Sequence, residues 1–469
     1  MIWLAPCIDF YRQRFYTDKM KYANMFRAIF IMLSLFVMVP SFSGSVQAQN
    51  CDLATEVIIK LRKPSIGAYN LWDTVYGEHE SYESFEALGF ALNNDNVIVA
   101  GEFAPNRGAD KSLIFAEIDR RGRPVWEELV DVEGLQNVVT MLTLDDRHVV
   151  LANRTGKDGA RSIWIGHFDE AGQKLRETII KDDKYNLDAN DMILTHDMKN
   201  LLLAVDKAPR DKSDNALAAL YWVNMKSHKV TKDLAYALGA ENKIHALDYY
   251  GTNNYIGAGS VRGSDGRLAG WIINLNEQGG FNWQKQFPRG LGSRLFDVIQ
   301  YNDDYIAVTG ETMAANESRN RAAWVMMVHA DSADVAWQRY YHDDYNLGGV
   351  ALDVLDDTQL VVAINGRDSE KADDMDYTRV LYLNGRGVIL HADSYFNAEG
   401  AQASGMLTGS KNEKLIFGRS LVEYQVEKEN IDGTEDPLDA IQSYQGWIVS
   451  GAPAETYQDP CVQRLEFLQ

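Results

Sequence analysis

Basic side chains recur in the segments that connect the apolar runs of this chain, although the chain as a whole is acidic. It has 46 lysines and arginines against 67 aspartates and glutamates, a formal net charge of -21. Cations gathered on one surface bind carboxylates or an anionic polymer through charge-assisted hydrogen bonds. The candidate binding cations are Arg107, Lys111, Arg161, Arg267, Arg321 and Arg379. The alternative is that each cation pairs with an acid of its own loop, such as Asp110, Asp158, Asp265, Glu317 or Asp374.

Three aspartates, Asp248, Asp297 and Asp353, lie at corresponding positions of three consecutive apolar runs. Carboxylates that face one channel repel one another unless a cation or hydrogen-bond donors lie between them. Because Ca²⁺ accepts ligand sets made only of oxygen atoms, these residues form a candidate calcium site. The alternative is that each carboxylate accepts hydrogen bonds from neighbouring backbone N–H groups.

The sequence carries no motif for zinc-dependent or nucleophilic catalysis. Its histidines lack the His-x-His and His-Glu-x-x-His spacings of zinc sites, and it contains no Gly-x-Ser-x-Gly elbow. His245, at the start of an apolar run near the expected channel mouth, is the one histidine that we consider a candidate ligand-binding residue. A structural role is its alternative. No catalytic residue is assigned, and no cofactor is expected beyond the candidate calcium ion.

These residues are positioned by a repeat. An apolar run recurs seven times at intervals of 50 to 55 residues, with starts at Val97, Val149, Leu201, Tyr255, Tyr305, Leu360 and Lys414. Each copy continues into a second apolar run, usually with tryptophan, then a turn opened by Asp or Asn and ended by Gly, and then a further run such as 335–341. Asp or Asn followed by Gly is typical of tight hairpins. Four short strands per unit of about fifty residues are characteristic of a β-propeller.

The repeat predicts an all-β fold, a seven-bladed β-propeller whose N-terminal strand completes the last blade. The seventh unit lacks a fourth strand after residues 446–450, whereas residues 70–76 match a fourth strand and precede the first unit. Pairing the two ends removes an open sheet edge. The recurring tryptophans are expected to fill the wedge between blades rather than to stack on carbohydrate.

The pattern of an apolar strand ending in Ala-Gly, a Trp strand, an Asp-x-x-Gly turn and a final x-Trp-Gln-Lys-x-Phe run resembles the bacterial secreted β-propeller repeat proteins. Residues 270–287 carry the resemblance best, and it covers about residues 70–450. It implies the fold and a setting outside the cytoplasm, and the family offers no single catalytic motif to transfer. The Trp-Asp pairs of WD40 repeats and the tryptophan repeats of quinone-dependent dehydrogenases are absent from the sequence.

The N-terminal residues 1–48 have the character of a signal peptide, with lysines and an arginine before an apolar run and Val46-Gln47-Ala48 at the predicted cleavage site. Residues 1–19 do not resemble the start of a signal peptide, so translation is expected to start at Met20. The alternative to cleavage is that the apolar run stays as a membrane anchor. Residues 49–469 are predicted to form a single propeller domain that is periplasmic or secreted, with no transmembrane span. Cys51 and Cys461 lie near its two ends and are predicted to form a disulfide, with two free thiols as the alternative.

The net negative charge argues against nucleic acid as a partner, because phosphate binding needs clustered cations. We therefore expect an exported, non-catalytic binding or scaffold propeller that presents a loop-rich face to a protein or polysaccharide of the cell envelope. The alternative is a hydrolase or lyase with its site at the axial channel mouth. A calcium-stabilised structural protein is a third possibility. Residues 421–444, the longest acidic insertion, are expected to form a solvated loop or an arm that docks a partner.

Overall fold

The computed structural model describes most of the chain after residue 54. Residues 1–54, with the predicted signal peptide and Cys51, and residues 452–469, with Cys461, lie outside the described part, so the predicted disulfide falls outside it as well. The described ranges are 55–61, 70–77, 81–106, 108–211, 215–313, 321–343, 346–355, 358–367, 376–395, 400–409, 413–426 and 439–451.

Every regular element in these ranges is a β-strand. The strands are β1 (Glu56–Lys60), β2 (Asn70–Tyr76), β3 (Tyr82–Phe90), β4 (Val97–Ala104), β5 (Lys111–Ile118), β6 (Pro124–Thr143), β7 (His148–Thr155), β8 (Arg161–Phe168), β9 (Lys174–Ile180), β10 (Tyr185–Leu194), β11 (Asn200–Pro209), β12 (Leu217–Asn224), β13 (Val230–Tyr236), β14 (Glu241–Tyr250), β15 (Asn254–Arg262), β16 (Leu268–Asn276), β17 (Phe281–Phe287), β18 (Gly292–Gln300), β19 (Tyr305–Met313), β20 (Arg321–His329), β21 (Val335–His342), β22 (Asn346–Leu355), β23 (Gln359–Arg367), β24 (Asp376–Asn384), β25 (Ile389–Tyr395), β26 (Ala401–Thr408), β27 (Lys414–Val426) and β28 (Asp439–Gly451).

The strands form an all-β propeller, but not seven separate blades. Five sheets are single blades: β10–β13, β14–β17, β22–β25, β26–β28 with β2, and β18–β21 with β1. The sixth sheet contains seven strands, β3 to β9. The prediction of seven separate sheets is wrong because β6 is continuous over 20 residues, pairing with β5 along its first half and with β7 along its second.

The first strands of successive units contact one another in a closed ring. The order is β3, β6, β10, β14, β18, β22, β26 and back to β3. Each of these strands has a β-bulge at the same register point where it pairs with the next strand of its unit. The bulged residues are Glu86, Val139, Asn190, His245, Phe296, Val350 and Ser404. A bulge bends a strand and increases its local twist, as a strand at the centre of a twisted blade requires.

The strand β2 closes the ring as the sequence predicted for residues 70–76. β2 pairs antiparallel with β28, with Trp72 opposite Ser450 and Val75 opposite Trp447. The indole Nε1 of the buried Trp447 donates a hydrogen bond of 2.9 Å to the Asp73 carboxylate. The N-terminal strand therefore supplies the fourth strand of the β26–β28 blade.

One strand was not predicted. β1 adds to the outer edge of the β18–β21 blade, where it pairs parallel with β21. Its burial alternates, with Val57 and Ile59 inward and Ile58 outward, and Leu61 just beyond it is buried in the same cluster. The segment before the closing strand thus covers the edge of a second blade.

The core consists of the layers between facing sheets. Trp164, Trp271, Trp324 and Trp447 are almost fully buried, which confirms the packing role predicted for these tryptophans. The fourth-strand tryptophans reach the hairpin turn of the next unit. The indoles of Trp283 and Trp337 donate to the carbonyl oxygens of Ala330 and Gly385 at 2.8 and 2.9 Å.

The predicted Asp/Asn-to-Gly hairpins are confirmed. In one of them Asp119 Oδ1 accepts hydrogen bonds from the backbone N–H groups of Arg121 and Arg123, at 2.8 and 3.0 Å. The turn ends at Gly122 with φ +75°. This conformation is strained for residues with a Cβ atom, which explains the glycine there.

The long insertion is partly ordered strand rather than loop. β27 and β28 pair along residues 414–426 and 439–451, so both ends of the predicted loop belong to an extended hairpin. Residues 427–438 lie outside the described part. Among the described residues, no helix has the length and apolarity needed to cross a bilayer.

Candidate functional site

A polar cavity of about 440 Å³ lies where the units of β6–β9, β10–β13 and β14–β17 meet. Its residues come from the beginnings of first strands and from second and third strands near the connections between them. Because Tyr185 at the start of β10 pairs with Pro209 at the end of β11, these ends share one face of the ring with the loops after the second strands. The cavity is lined by Asn137, Val138, Val139, Asn153, Arg161, Asp188, Ala189, Asn190, Asp206 and Lys243.

Two ion pairs cross the unit boundaries in this cavity. Arg161, at the start of β8, lies 2.6 Å from the carboxylate of Asp188 on β10. Lys243 on β14 lies 3.2 Å from the carboxylate of Asp206 on β11. The two cationic side chains are 42% and 36% exposed and those of Asp188 and Asp206 are 23% and 9% exposed, so the cations remain the more accessible partners.

Asparagines fix the backbone around the ion pairs. The Asn153 amide accepts from the backbone N–H of Ala189 at 2.7 Å and donates to its carbonyl oxygen at 2.9 Å. The bulged Asn190 donates to the Ile244 carbonyl oxygen at 2.9 Å and to Asp206 at 3.0 Å. Each asparagine links one unit to the next. These hydrogen bonds hold together the three units whose charged side chains line the cavity.

Burial alters the acidity of both carboxylates. It raises the pKa of Asp206 to about 6, although Lys243 and Asn190 act in the opposite direction. Burial also raises the pKa of Asp188, against the effect of the Arg161 and Lys243 charges. The cavity therefore presents two acids that hold protons more strongly than exposed carboxylates, beside two cations.

The structure brings one predicted cation, Arg161, into this cavity. Lys111 forms an ion pair with Glu102 and donates to the Gln136 carbonyl oxygen at 2.9 Å. Arg267 lies 3.9 Å from Asp265, the partner that the local-pairing alternative named.

The remaining cations lie apart from the cavity. Arg321 pairs with Glu311 at 3.0 Å. Arg379 is buried, with its guanidinium 5.7 Å from the ring centroid of Tyr377. Arg107 lies outside the described residues. The described cations thus engage neighbouring acids and rings, and do not form one open cationic ring.

His245 is the bulged residue of β14. Its Nε2 lies 3.3 Å from the Ser260 hydroxyl, and its ring lies 5.5 Å from that of Phe296. Burial lowers the pKa of His245 to about 4, and the Lys243 and Arg294 charges act in the same direction. The imidazole is therefore neutral at neutral pH, and His245 is not among the residues that line the cavity.

The three predicted calcium ligands each have hydrogen-bonding partners in the next unit. Asp297 accepts from the backbone N–H of Leu352 at 2.7 Å, and Asp248 accepts from that of Gln300 at 3.3 Å. Asp353 accepts from the Thr408 hydroxyl and lies 3.6 Å from the Lys414 ammonium. Within the described ranges, no group of three or more His, Cys, Asp or Glu side chains could hold a metal ion.

The three aspartates are also not equivalent in register. Asp297 directly follows its bulge, whereas Asp248 and Asp353 lie three residues beyond theirs. The true counterpart of Asp297 is Asp191, which accepts from the backbone N–H of Leu247 at 2.7 Å. The prediction that the aspartates lie at corresponding positions is therefore wrong, since Asp297 lies 13 residues before Gly310 whereas Asp248 lies 11 residues before the equivalent Gly259.

Sequence reasoning did not find Asp188, Asp206, Asn153 or Lys243. What these residues share is structural: Asp188 and Lys243 both lie two residues before a bulge, and Asp206 is the pairing partner of Asp188 on the next strand. Only the register of the bulges reveals these equivalences.

No family model and no curated protein matches the chain. Solved structures with some similarity include the WD40 domain of Toxoplasma gondii coronin, at 11% identity and a TM-score of 0.40, covering 86% of this chain and 90% of that one. Drosophila Semaphorin 2a matches at 8% identity and a TM-score of 0.44, covering 75% and 74%. A subtype N10 neuraminidase-like protein of A/little yellow-shouldered bat matches at 11% identity and a TM-score of 0.40, covering 66% and 98%.

Proposed function

We propose that the protein is an exported, non-catalytic binding propeller whose loop-bearing face engages a protein or polysaccharide of the cell envelope. The observation that carries the proposal is the polar cavity on that face, formed jointly by three consecutive units. The resemblance of residues 270–287 to secreted propeller repeats and the signal-like residues 1–48 support the extracytoplasmic setting.

We also propose that the seven-stranded sheet acts as two blades joined through β6, which makes seven repeats around the axis. The support is the bulge, which recurs once in each of seven first strands, including β3 and the second half of β6. On this view the cavity is placed at two adjacent blade junctions, where propellers offer concave surface.

The experiment compares two charge-matched double variants of the mature chain for binding to protein and polysaccharide fractions of a bacterial envelope. Arg161→Gln with Lys243→Gln removes two cations from the cavity. Lys226→Gln with Lys229→Gln removes two exposed cations from the β12–β13 turn, on the opposite face. We expect the first variant to lose binding and the second to retain it. Equal binding by both variants would refute a docking role for the loop face.

A hydrolase or lyase is the second candidate, because two acids with raised pKa values line the same cavity. A carboxyl group that is partly protonated near pH 6 can act as a general acid. Turnover of glycoside or peptide substrates that disappears in the Asp206→Asn variant would establish this activity. Equal turnover in that variant would exclude Asp206 as the acid.

A further inference from the structure

The charges in the cavity are balanced within its own wall. Arg161 and Lys243 supply two positive charges, and Asp188 and Asp206 supply two negative ones, paired at 2.6 and 3.2 Å. A charged ligand would have to separate one of these pairs and leave a partly buried charge without its partner, which is costly. The wall thus disfavours charged ligands of either sign and favours an uncharged ligand.

The same groups keep hydrogen-bonding capacity beyond their ion pairs. A guanidinium has five N–H donors and an ammonium has three, whereas an ionised carboxylate has about four acceptor sites. The side chains of Arg161 and Lys243 are 42% and 36% exposed, and that of Asp188 is 23% exposed, so all three are accessible from the cavity. The wall therefore offers both donors and acceptors to a ligand.

Hydroxyl groups suit such a wall, because each one both donates and accepts a hydrogen bond. Val138 and Val139 add a small apolar area to the otherwise polar lining. A sugar ring has this combination, with hydroxyls around its rim and C–H groups on its faces. We propose that the cavity binds one uncharged sugar ring of a saccharide chain, an inference that rests on the proposed binding function and specifies its ligand class.

The test uses ligand-observed NMR and calorimetry with the methyl glycosides of glucose, galactose and N-acetylglucosamine as neutral probes. Glucuronate and glucosamine serve as the comparators that add one negative or one positive charge. We expect at least one neutral glycoside to bind, and each charged comparator to bind about tenfold more weakly, which corresponds to about 1.4 kcal/mol. The proposal would be overturned if none of the three neutral glycosides bound, or if glucuronate bound as tightly as the neutral glycosides.

Charge-changing variants give a readout that a folding defect cannot imitate. Asp206→Asn leaves the wall with one net positive charge, so neutral binding should weaken while glucuronate binding strengthens. Lys243→Gln leaves one net negative charge and should strengthen glucosamine binding instead. Glu311→Gln, which alters an ion pair outside the cavity lining, is the control and should change none of these affinities. Loss of all binding without either gain would contradict the charge argument.

The glycoside experiment and the envelope experiment test different proposals, and their outcomes can be told apart. If the Arg161/Lys243 double variant loses a macromolecular partner but no neutral glycoside binds the wild type, the binding function stands and the saccharide inference fails. A captured partner that is a peptide would give this outcome. If no partner is lost and no glycoside binds, both proposals fail.

Discussion

At the scale of single residues, side chains from one unit hold the first strand of the next. Asn153 on β7 makes two hydrogen bonds to Ala189, and Asn365 on β23 makes the same pair to Ala403, at 3.0 and 2.7 Å. Both held alanines directly precede a bulge. The asparagines therefore satisfy backbone groups that the bulge displaces from the ladder, and they lock adjacent units together.

Replacing Asn153 with alanine should destabilise the protein by about 2 kcal/mol, because it leaves a buried N–H and a buried carbonyl without partners. Urea denaturation of the variant and the wild type measures the difference. Asn253→Ala, in the exposed β14–β15 turn, is the matched control and should change stability little. Equal stability of Asn153→Ala and the control would show that the link is dispensable.

His148 makes folding stability depend on pH. It is fully buried, its Nδ1 lies 2.7 Å from the Thr143 hydroxyl, and burial lowers its pKa to about 4. Between about pH 6.5 and pH 4 the unfolded chain binds a proton at this position that the folded chain does not, so stability falls as the pH falls through that window.

A His148→Gln variant should therefore lose less stability than the wild type between pH 6.5 and pH 4. Denaturant midpoints measured across this range give the slope directly. Asn253→Ala, which removes no titratable group, is the comparison and should leave the slope unchanged. A variant at His148 with an unchanged slope would assign the pH dependence to other groups.

At the scale of elements, the bulge explains a glycine that the repeat carries in several units. A Cβ atom on Gly259 would lie 1.9 Å from the carbonyl oxygen of Lys243, two residues before the bulge of β14. A Cβ atom on Gly101, Gly310 or Gly418 would lie 2.1, 2.0 or 2.0 Å from the corresponding carbonyl oxygen. In these units the second strand can approach the bulged strand only without a side chain.

Gly259→Ala should cost about 1–3 kcal/mol, the usual penalty for forcing atoms into a packed interior. It should also shift Lys243 and so weaken any ligand bound in the cavity. Gly292→Ala is the control, since its Cβ would meet no atom closer than 4.0 Å. Thermal unfolding of both variants decides the point, and equal melting temperatures would contradict the close-approach argument.

At the scale of the whole molecule, the N-terminal segment contributes to two blades. β1 covers the edge of β21 and β2 completes the blade of β26–β28. Without β2 the edge of β28 would be open, and open edges promote association between chains.

A chain that starts at residue 78 lacks both strands and should lose cooperative unfolding and aggregate. A chain that starts at residue 62 keeps β2 and should keep the closed ring and the oligomeric state of the mature chain, with lower stability because the buried Val57, Ile59 and Leu61 are absent. Size-exclusion chromatography and thermal unfolding separate the two outcomes. Monomeric, cooperative behaviour of the shorter chain would show that closure by β2 is not needed.

The sequence by itself determined the all-β class, the recurring four-strand unit, the hairpin turns and the closing role of residues 70–76. These features are local or periodic, since Asp119 and Gly122 form one turn and Trp447 recurs in register with the other tryptophans. The tertiary structure alone decided the continuity of β6, the addition of β1 and the seven bulges. It also decided which charges meet, because the Arg161–Asp188 and Asp206–Lys243 pairs cross unit boundaries. These pairs join residues of different units, and the sequence does not show which positions of two units face each other. The contacts therefore become visible only when the ring is closed.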